Sequence, residues 1–488
     1  MRRSGILMHI SSLPNDYGIG KLGKEAYAFV DFLEKAHQKC WQILPISPTS
    51  YGDSPYQSFS VHAGNPYFID LEALEKEGYL KPAEYKDIEW GDDKGSVDYG
   101  KIYEVIFKVL RTAHKRFRKK PEKAYSKFVV ENKDWIYDYA LFMSLKFANK
   151  GKAWYEWDEP LKMYKPKAIK SARKEYANDI DFWCFVQYKY FQQWKKLKAY
   201  ANEKGIEIIG DIPIYVAYDS VEVWSTPQYF SLDKEKKPVE VAGCPPDAFT
   251  ADGQLWGNPL YNWEYIARDK FRWWVERIKA ASDTYDVVRI DHFRGFESYY
   301  CIPYGAKNAK KGKWRKGPDM RLFKEVRKQL GDVKIIAEDL GFLTKHVVKM
   351  LNASGYPGMF GFDSDNTNGY LPHNFKTTNS ICYTGTHDNE TILGWIKSCD
   401  EKTRSYCKDY LGVTKDEFVP WAMVRLCWSS VCDTAIAQMQ DILCLDDKAR
   451  MNTPSTVGAN WKWRLESFDK LDDTLAERLA KITAVYGR

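Results

Sequence analysis

The chain has 488 residues, 44% apolar and 28% charged, with 73 Lys and Arg against 66 Asp and Glu for a net charge of +7. This is a core-forming composition and not that of a disordered chain. With a mean hydropathy of −0.53 and no apolar run of about 18 residues, it excludes a helical membrane span.

The N-terminal stretch carries Arg2 and Arg3 but no long apolar segment and no small-residue cleavage site, so no secretory signal is read. Ten cysteines are scattered from Cys40 to Cys444, with no C-x-x-C pair and no zinc spacing. Reduced, mostly buried thiols in a cytoplasmic protein are the expectation. Two basic stretches, 114–120 and 310–316, are read as a solvated helix face and a surface loop rather than a nucleic-acid surface, because a charge run is a weak signal. Aromatics reach 15%. Part of that excess builds core; the rest supplies flat platforms suited to sugar rings or bases.

Taken in chain order, short β-rich apolar runs fall at 5–10, 40–46, 206–214, 287–290, 333–337, 358–362, 381–384 and 435–442. Amphipathic stretches at 22–36 and 271–281 show near-helical spacing. Continuously apolar runs suit strands buried on both faces of a parallel sheet. Eight strands with helices between them predict a closed (β/α)₈ barrel. The interval 48–200 is far longer than the dozen or so residues a crossover needs. It is expected to hold an inserted, mainly helical subdomain, and 219–263 a smaller insertion, within one catalytic barrel spanning 1–488.

Active sites of parallel barrels lie at the carboxyl ends of the strands. Four candidate strands end in acids there: Gly210-Asp211-Ile212, Arg289-Ile290-Asp291-His292, Ala337-Glu338-Asp339, and Thr386-His387-Asp388. Such a cluster has three uses: holding a divalent metal, moving glycosidic bonds, or capping helices and pairing with cations. No D-x-D-x-D-G loop or H-E-x-x-H is present for the metal. Glycosyl chemistry fits best, because an oxocarbenium-like transition state needs an anion on one face of the sugar and a proton donor at the leaving oxygen. Asp291 and Glu338 fall on adjacent strands, which permits the separation of about 5–5.5 Å used in a retaining double displacement. Arg289, one pleat from Asp291, is expected to keep that acid ionised. Glu338 must start protonated, so its surroundings should raise its pKa.

The chain also resembles glycoside hydrolase family 77, the 4-α-glucanotransferases, over nearly its whole length. The matching motifs include His9-Ile10-Ser11-Ser12-Leu13-Pro14, Gly52-Asp53-Ser54-Pro55-Tyr56-Gln57-Ser58-Phe59-Ser60, Gly210-Asp211-Ile212-Pro213, Gly253-Gln254-Leu255-Trp256-Gly257-Asn258-Pro259 and Asn460-Trp461-Lys462-Trp463. The resemblance implies a (β/α)₈ barrel without a C-terminal β-sandwich. It implies Asp291 as nucleophile, Glu338 as acid/base and Asp388 as transition-state stabiliser. Tyr56, Asp211, Arg289, His292 and His387 would line the attacked glucose. Trp256 would lie on a flexible loop covering the donor, and Asn460 on a loop flanking the acceptor. α-1,4-Glucans, with glucose as acceptor, are the implied partners of a monomer or weak homodimer, with no metal, cofactor, nucleic acid or membrane. An α-1,4-glucan hydrolase with the same carboxylates, and a glucan-binding scaffold without turnover, remain as alternatives.

Overall fold

The structure, a computed structural model, describes residues 2–50, 52–246, 251–340, 343–361 and 371–488. Its twelve strands are β1 (Arg3–Leu7), β2 (Cys40–Gln42), β3 (Glu207–Ile212), β4 (Glu240–Cys244), β5 (Gln254–Pro259), β6 (Val287–Ile290), β7 (Ser298–Pro303), β8 (Lys313–Lys316), β9 (Ile335–Ala337), β10 (Gly358–Gly361), β11 (Ser380–Tyr383) and β12 (Thr434–Gln438).

Eight of them form one all-parallel sheet in the order β10-β11-β12-β1-β2-β3-β6-β9. The Ala337 amide donates to the Pro357 carbonyl (3.0 Å), drawing the two edge strands together into a nearly closed barrel. These strands read as unbroken apolar runs because helices cover them outside and side chains fill them inside. The helices Lys24–Lys35 and Arg272–Thr284 each precede a barrel strand. The fold class is thus the expected (β/α)₈ barrel, and no C-terminal β-sandwich occurs among the described residues.

All eight expected strands exist; Val287–Ile290 falls where expected, and the other seven have shifted ends. The first ends at Leu7, and Ile10–Ser12 turns into a 3₁₀ helix. The last stops at Gln438, and Met439–Ile442 is a helical turn. Apolar continuity alone does not separate a buried strand from the buried turn that follows it. Phe362, the expected end of the sixth strand, lies outside the described residues.

A second sheet, antiparallel in the order β5-β4-β7-β8, flanks the barrel. Its strands β7 and β8 lie beyond 219–263 and were not anticipated. The expected surface loop at 310–316 is therefore partly an edge strand. Its cations are paired: Lys313 and Arg315 with Glu240 (3.1 and 2.7 Å), and Lys316 with Glu297. The other basic stretch ends the helix Tyr99–Phe117 and is likewise engaged. His114 is buried against Asp181, and Arg116 forks onto Glu84.

Between β2 and β3 the chain is mainly helical. The 27-residue helix Ala177–Glu203 packs on the helix Lys133–Ala148. Two glutamines of the long helix each clasp both polar groups of one peptide unit position. Gln187 accepts from the Gly64 amide (2.7 Å) and donates to its carbonyl (2.9 Å); Gln193 does the same at Asp70 (2.7 and 3.1 Å). Loop backbone buried under a helix needs such partners. Trp41, Trp154, Trp183, Trp194, Trp224, Trp274 and Trp428 are fully buried. Much of the tryptophan excess is therefore core.

Candidate active site

The registry of the barrel strands assembles the site. β3 pairs with β6 so that Asp211 lies level with Arg289, and β6 pairs with β9 so that Ile290 lies level with Ala337. Asp291 and Glu338 follow immediately on these neighbouring strands. The ladder continues past both: Asp291 N donates to Ile212 O and Glu338 N to Ile290 O, each at 3.0 Å. Neighbouring strands lie about 4.8 Å apart, so the two acids stand side by side at the carboxyl rim.

Arg289 serves two carboxylates. One Nη1 lies 2.5 Å from Asp211 Oδ2 and 3.0 Å from Asp291 Oδ1. Asp211 is fully buried, and its Oδ2 also accepts from the Tyr56 hydroxyl (2.8 Å). Burial pushes Asp291 up to about 6, against the pull of Arg289. Glu338 is pushed further, to about 8, by burial first and the neighbouring Asp291 second. Two backbone donors oppose that rise: His292 N on Oε2 and Leu340 N on Oε1, each at 2.7 Å. The His292 amide can aim there because His292 adopts the left-handed conformation (φ 52°). Both acids are shifted upwards, Glu338 the further of the two, which makes Glu338 the better proton donor of the pair.

Of the remaining expected residues, His387 and Asp388 stand close enough to act on Asp291. The His387 ring stacks on Tyr56 at 4.8 Å. Its Nδ1 lies 3.3 Å from the Tyr56 hydroxyl and its Nε2 3.4 Å from Asp388 Oδ2. The Asp388 side chain is 44% exposed at the rim. Trp256 meets the His292 ring edge-on at 4.9 Å, and burial holds His292 neutral by lowering it to about 3. Trp256 lies in β5 rather than on a loop, at the register shift between the Leu255–Gly243 and Pro259–Val241 pairings with β4. The glycine-flanked Gly253–Gly257 segment reads as a loop in sequence, yet pairing with β4 on either side of Trp256 makes Gln254–Pro259 a strand. Asn460 spends its side chain on its own loop, accepting from Thr453 N (3.0 Å) and donating to Thr456 O (2.9 Å).

Sequence reading missed three contributors. Asn452 donates to Asp388 Oδ1 (2.5 Å), and Arg450 to the Asp388 carbonyl (2.8 Å). Trp461, part of the Asn460-Trp461-Lys462-Trp463 motif but given no role there, packs against both Tyr56 and His387 at 5.8 Å. Arg450 and Asn452 follow the last barrel strand, so a scan of every segment beyond a strand end, not of acids alone, would have flagged them. Among the described residues no group of three or more His, Cys, Asp or Glu is arranged to hold a metal ion. No helix among them is long and apolar enough to cross a membrane.

Comparison with known proteins agrees with this geometry. The family model for 4-alpha-glucanotransferase, glycoside hydrolase family 77, matches residues 8–470. The chain is 49% identical to a 4-alpha-glucanotransferase of Clostridium butyricum, covering 99% of this chain and 100% of that one. It is 47% identical to one of Streptococcus pneumoniae, covering 100% and 97%. Among solved structures, the amylomaltase from Streptococcus agalactiae in complex with acarbose superposes with a TM-score of 0.97 at 43% identity, over 100% of both chains. The chain belongs to glycoside hydrolase family 77, the 4-alpha-glucanotransferases, whose members transfer glucan segments.

Proposed function

We propose that the chain transfers segments of α-1,4-glucans to the 4-hydroxyl of a glucose or glucan acceptor by a retaining double displacement. Glu338 protonates the glycosidic oxygen while Asp291 attacks the anomeric carbon, and a covalent glycosyl-enzyme forms as the leaving piece departs. Glu338, now anionic, takes the proton of the incoming 4-hydroxyl, and the glycosidic bond re-forms with retained configuration. Asp388, steadied by Asn452, accepts from sugar hydroxyls as positive charge develops at the ring. Tyr56, Asp211, Arg289, His292 and His387 line the attacked glucose, with Trp256 over it and Asn460 shaping the acceptor-side loop. No metal or cofactor is required in this reading, since Arg289 supplies the counter-charge and Glu338 the proton.

The observation that carries it is the ion-paired Asp291 standing level with a proton-holding Glu338 on the next strand. The acarbose complex of the Streptococcus agalactiae neighbour supports a sugar ligand. A well-positioned acceptor, worth an effective molarity of about 10⁵–10⁸ M, outcompetes water if the rim aromatics orient it. We read the protein as one catalytic barrel over 1–488, with 48–200 a helical insertion and 219–263 a smaller one. Shared core between the helices of the first insertion and the barrel supports this. It acts in the cytoplasm as a monomer or weak homodimer, a placement its mostly buried cysteines favour.

Incubation with maltotriose is the test. Transfer yields glucose plus longer chains with little gain in reducing ends, and Asp291→Asn abolishes it. A steady rise in reducing ends makes the protein a hydrolase instead. Tight glucan binding without any turnover makes it a scaffold.

A further inference from the structure

Exposed aromatic rings that are locked in place call for a reason, because the solvent side of a ring gains nothing from packing. Away from the carboxylates, three tyrosines form such a cluster. The rings of Tyr155 and Tyr218 stack face to face, 4.5 Å apart and 8° from parallel. Tyr304 meets Tyr218 edge-on at 6.4 Å. Trp154, fully buried, supports them edge-on from beneath at 5.6 and 5.3 Å, and its Nε1 donates to the Tyr218 carbonyl (2.7 Å). The Tyr218 hydroxyl donates to Lys236 O (2.8 Å). Yet Tyr155 is 38% exposed and Tyr304 51%.

The three rings come from distant parts of the chain: the turn Trp154–Glu156, the segment after β3 and the residue after β7. No single amphipathic helix explains their meeting. Glu156 and Asp233 lie close enough to bear on the Tyr155 and Tyr218 hydroxyls, whereas Asp219 is spent on Lys146 (2.5 Å) and the Trp154 amide (3.2 Å). Flat apolar faces edged by hydroxyls and carboxylates match a pyranose ring, whose C–H faces stack and whose hydroxyls donate. The carboxylates tell against a phosphate backbone.

The cluster is tied to the catalytic rim through β4. Tyr304 N donates to Val239 O just before β4 begins. Towards the other end of β4, Gly243 pairs with Leu255, the neighbour of Trp256. Four residues of strand separate these points, roughly 14 Å at about 3.4 Å each. A single glucan chain could span both.

We propose that Tyr155, Tyr218 and Tyr304 form a docking platform for the distal part of a long α-1,4-glucan whose reacting bond lies at Asp291 and Glu338. The identity of the sugar rests on the proposed transferase function; binding at the platform does not require turnover. The test is migration in native gels cast with soluble glycogen, alongside kinetics on amylose and on maltotriose. The wild type and Asp291→Asn are both retarded by glycogen. Combining Tyr155→Ala with Tyr304→Ala relieves the retardation and raises KM for amylose about fivefold or more, the loss expected for two stacking contacts. Maltotriose kinetics stay unchanged, because a trisaccharide at the carboxylates does not reach the platform. Tyr155→Trp with Tyr304→Trp, which keeps the ring faces, retains the retardation. An unretarded wild type, equal retardation of the alanine variant, or loss of retardation in the tryptophan variant overturns the platform. Absence of chain redistribution from maltotriose by a wild type that glycogen still retards would overturn the transferase reading alone.

Discussion

One guanidinium organises the chemistry at the residue scale. Arg289 binds the buried Asp211 on one side and Asp291 on the other, so the cation is anchored before any sugar arrives. Preorganised charge of this kind costs no rearrangement during reaction. The proposed mechanism needs Asp291 ionised and Glu338 protonated. With the first pushed up to about 6 and the second to about 8, kcat/KM for maltotriose should rise as pH passes about 6 and fall as it passes about 8. As the two groups interact, those limbs belong to the pair. A profile flat from pH 5 to 9 would contradict the assignment. Asn452 acts through Asp388, so Asn452→Ala should lower kcat about tenfold or more while KM moves little, if the contact matters chiefly in the transition state. Asn452→Asp, which removes the donor and adds a repelling charge, should be worse.

At the scale of elements, the long helix Ala177–Glu203 keeps the segment that carries Tyr56 against the barrel. Tyr56 precedes Gly64 by one short loop, and Gly64 is gripped through both backbone groups by Gln187. A Cβ on Gly64 would fall 1.9 Å from the Tyr190 ring, so the loop and helix touch at van der Waals limits. Gln187→Ala leaves a buried N–H and a buried C=O unpaired, at a cost of about 1–3 kcal/mol for each group. A lower thermal midpoint is the expected result, with an increased KM for maltotriose as Tyr56 loosens. Gln187→Glu preserves the acceptor but not the donor and should fall between. An unchanged melting curve for Gln187→Ala would mean that water replaces the amide.

For the whole molecule, the catalytic machinery works against stability. Glu338 has a folded-state pKa above its unfolded value, so the folded chain binds the extra proton between about 4.5 and about 8. Stability from this group is fully present at the acid end of that window and is lost as pH rises through it. Glu338→Gln removes the buried acid while keeping its shape. It should raise the thermal midpoint at pH 8 relative to the wild type and leave the two closer at pH 5, measured by thermal melts of both proteins at each pH. A variant no more stable at pH 8 than at pH 5, relative to wild type, would show that the carboxylate is solvated rather than buried. The pattern is the ordinary trade of stability for function at an active site.

The barrel itself was legible in residue order. Eight apolar runs and the acids that end them set both the fold class and the four rim carboxylates, because strand burial imposes its pattern locally. The motifs around Tyr56, Asp291 and Asn460 pointed to the family on their own. Tertiary structure alone decided the rest. Trp256 fell within a strand because Leu255 and Pro259 on either side of it pair with β4, a partner that local spacing does not reveal. Asn452 and Arg450 reached Asp388 across 62 to 64 residues of chain, and three tyrosines from separate segments met on one surface. Long-range contacts of this kind depend on registry between strands and on loop paths, and neither leaves a periodic trace in the sequence.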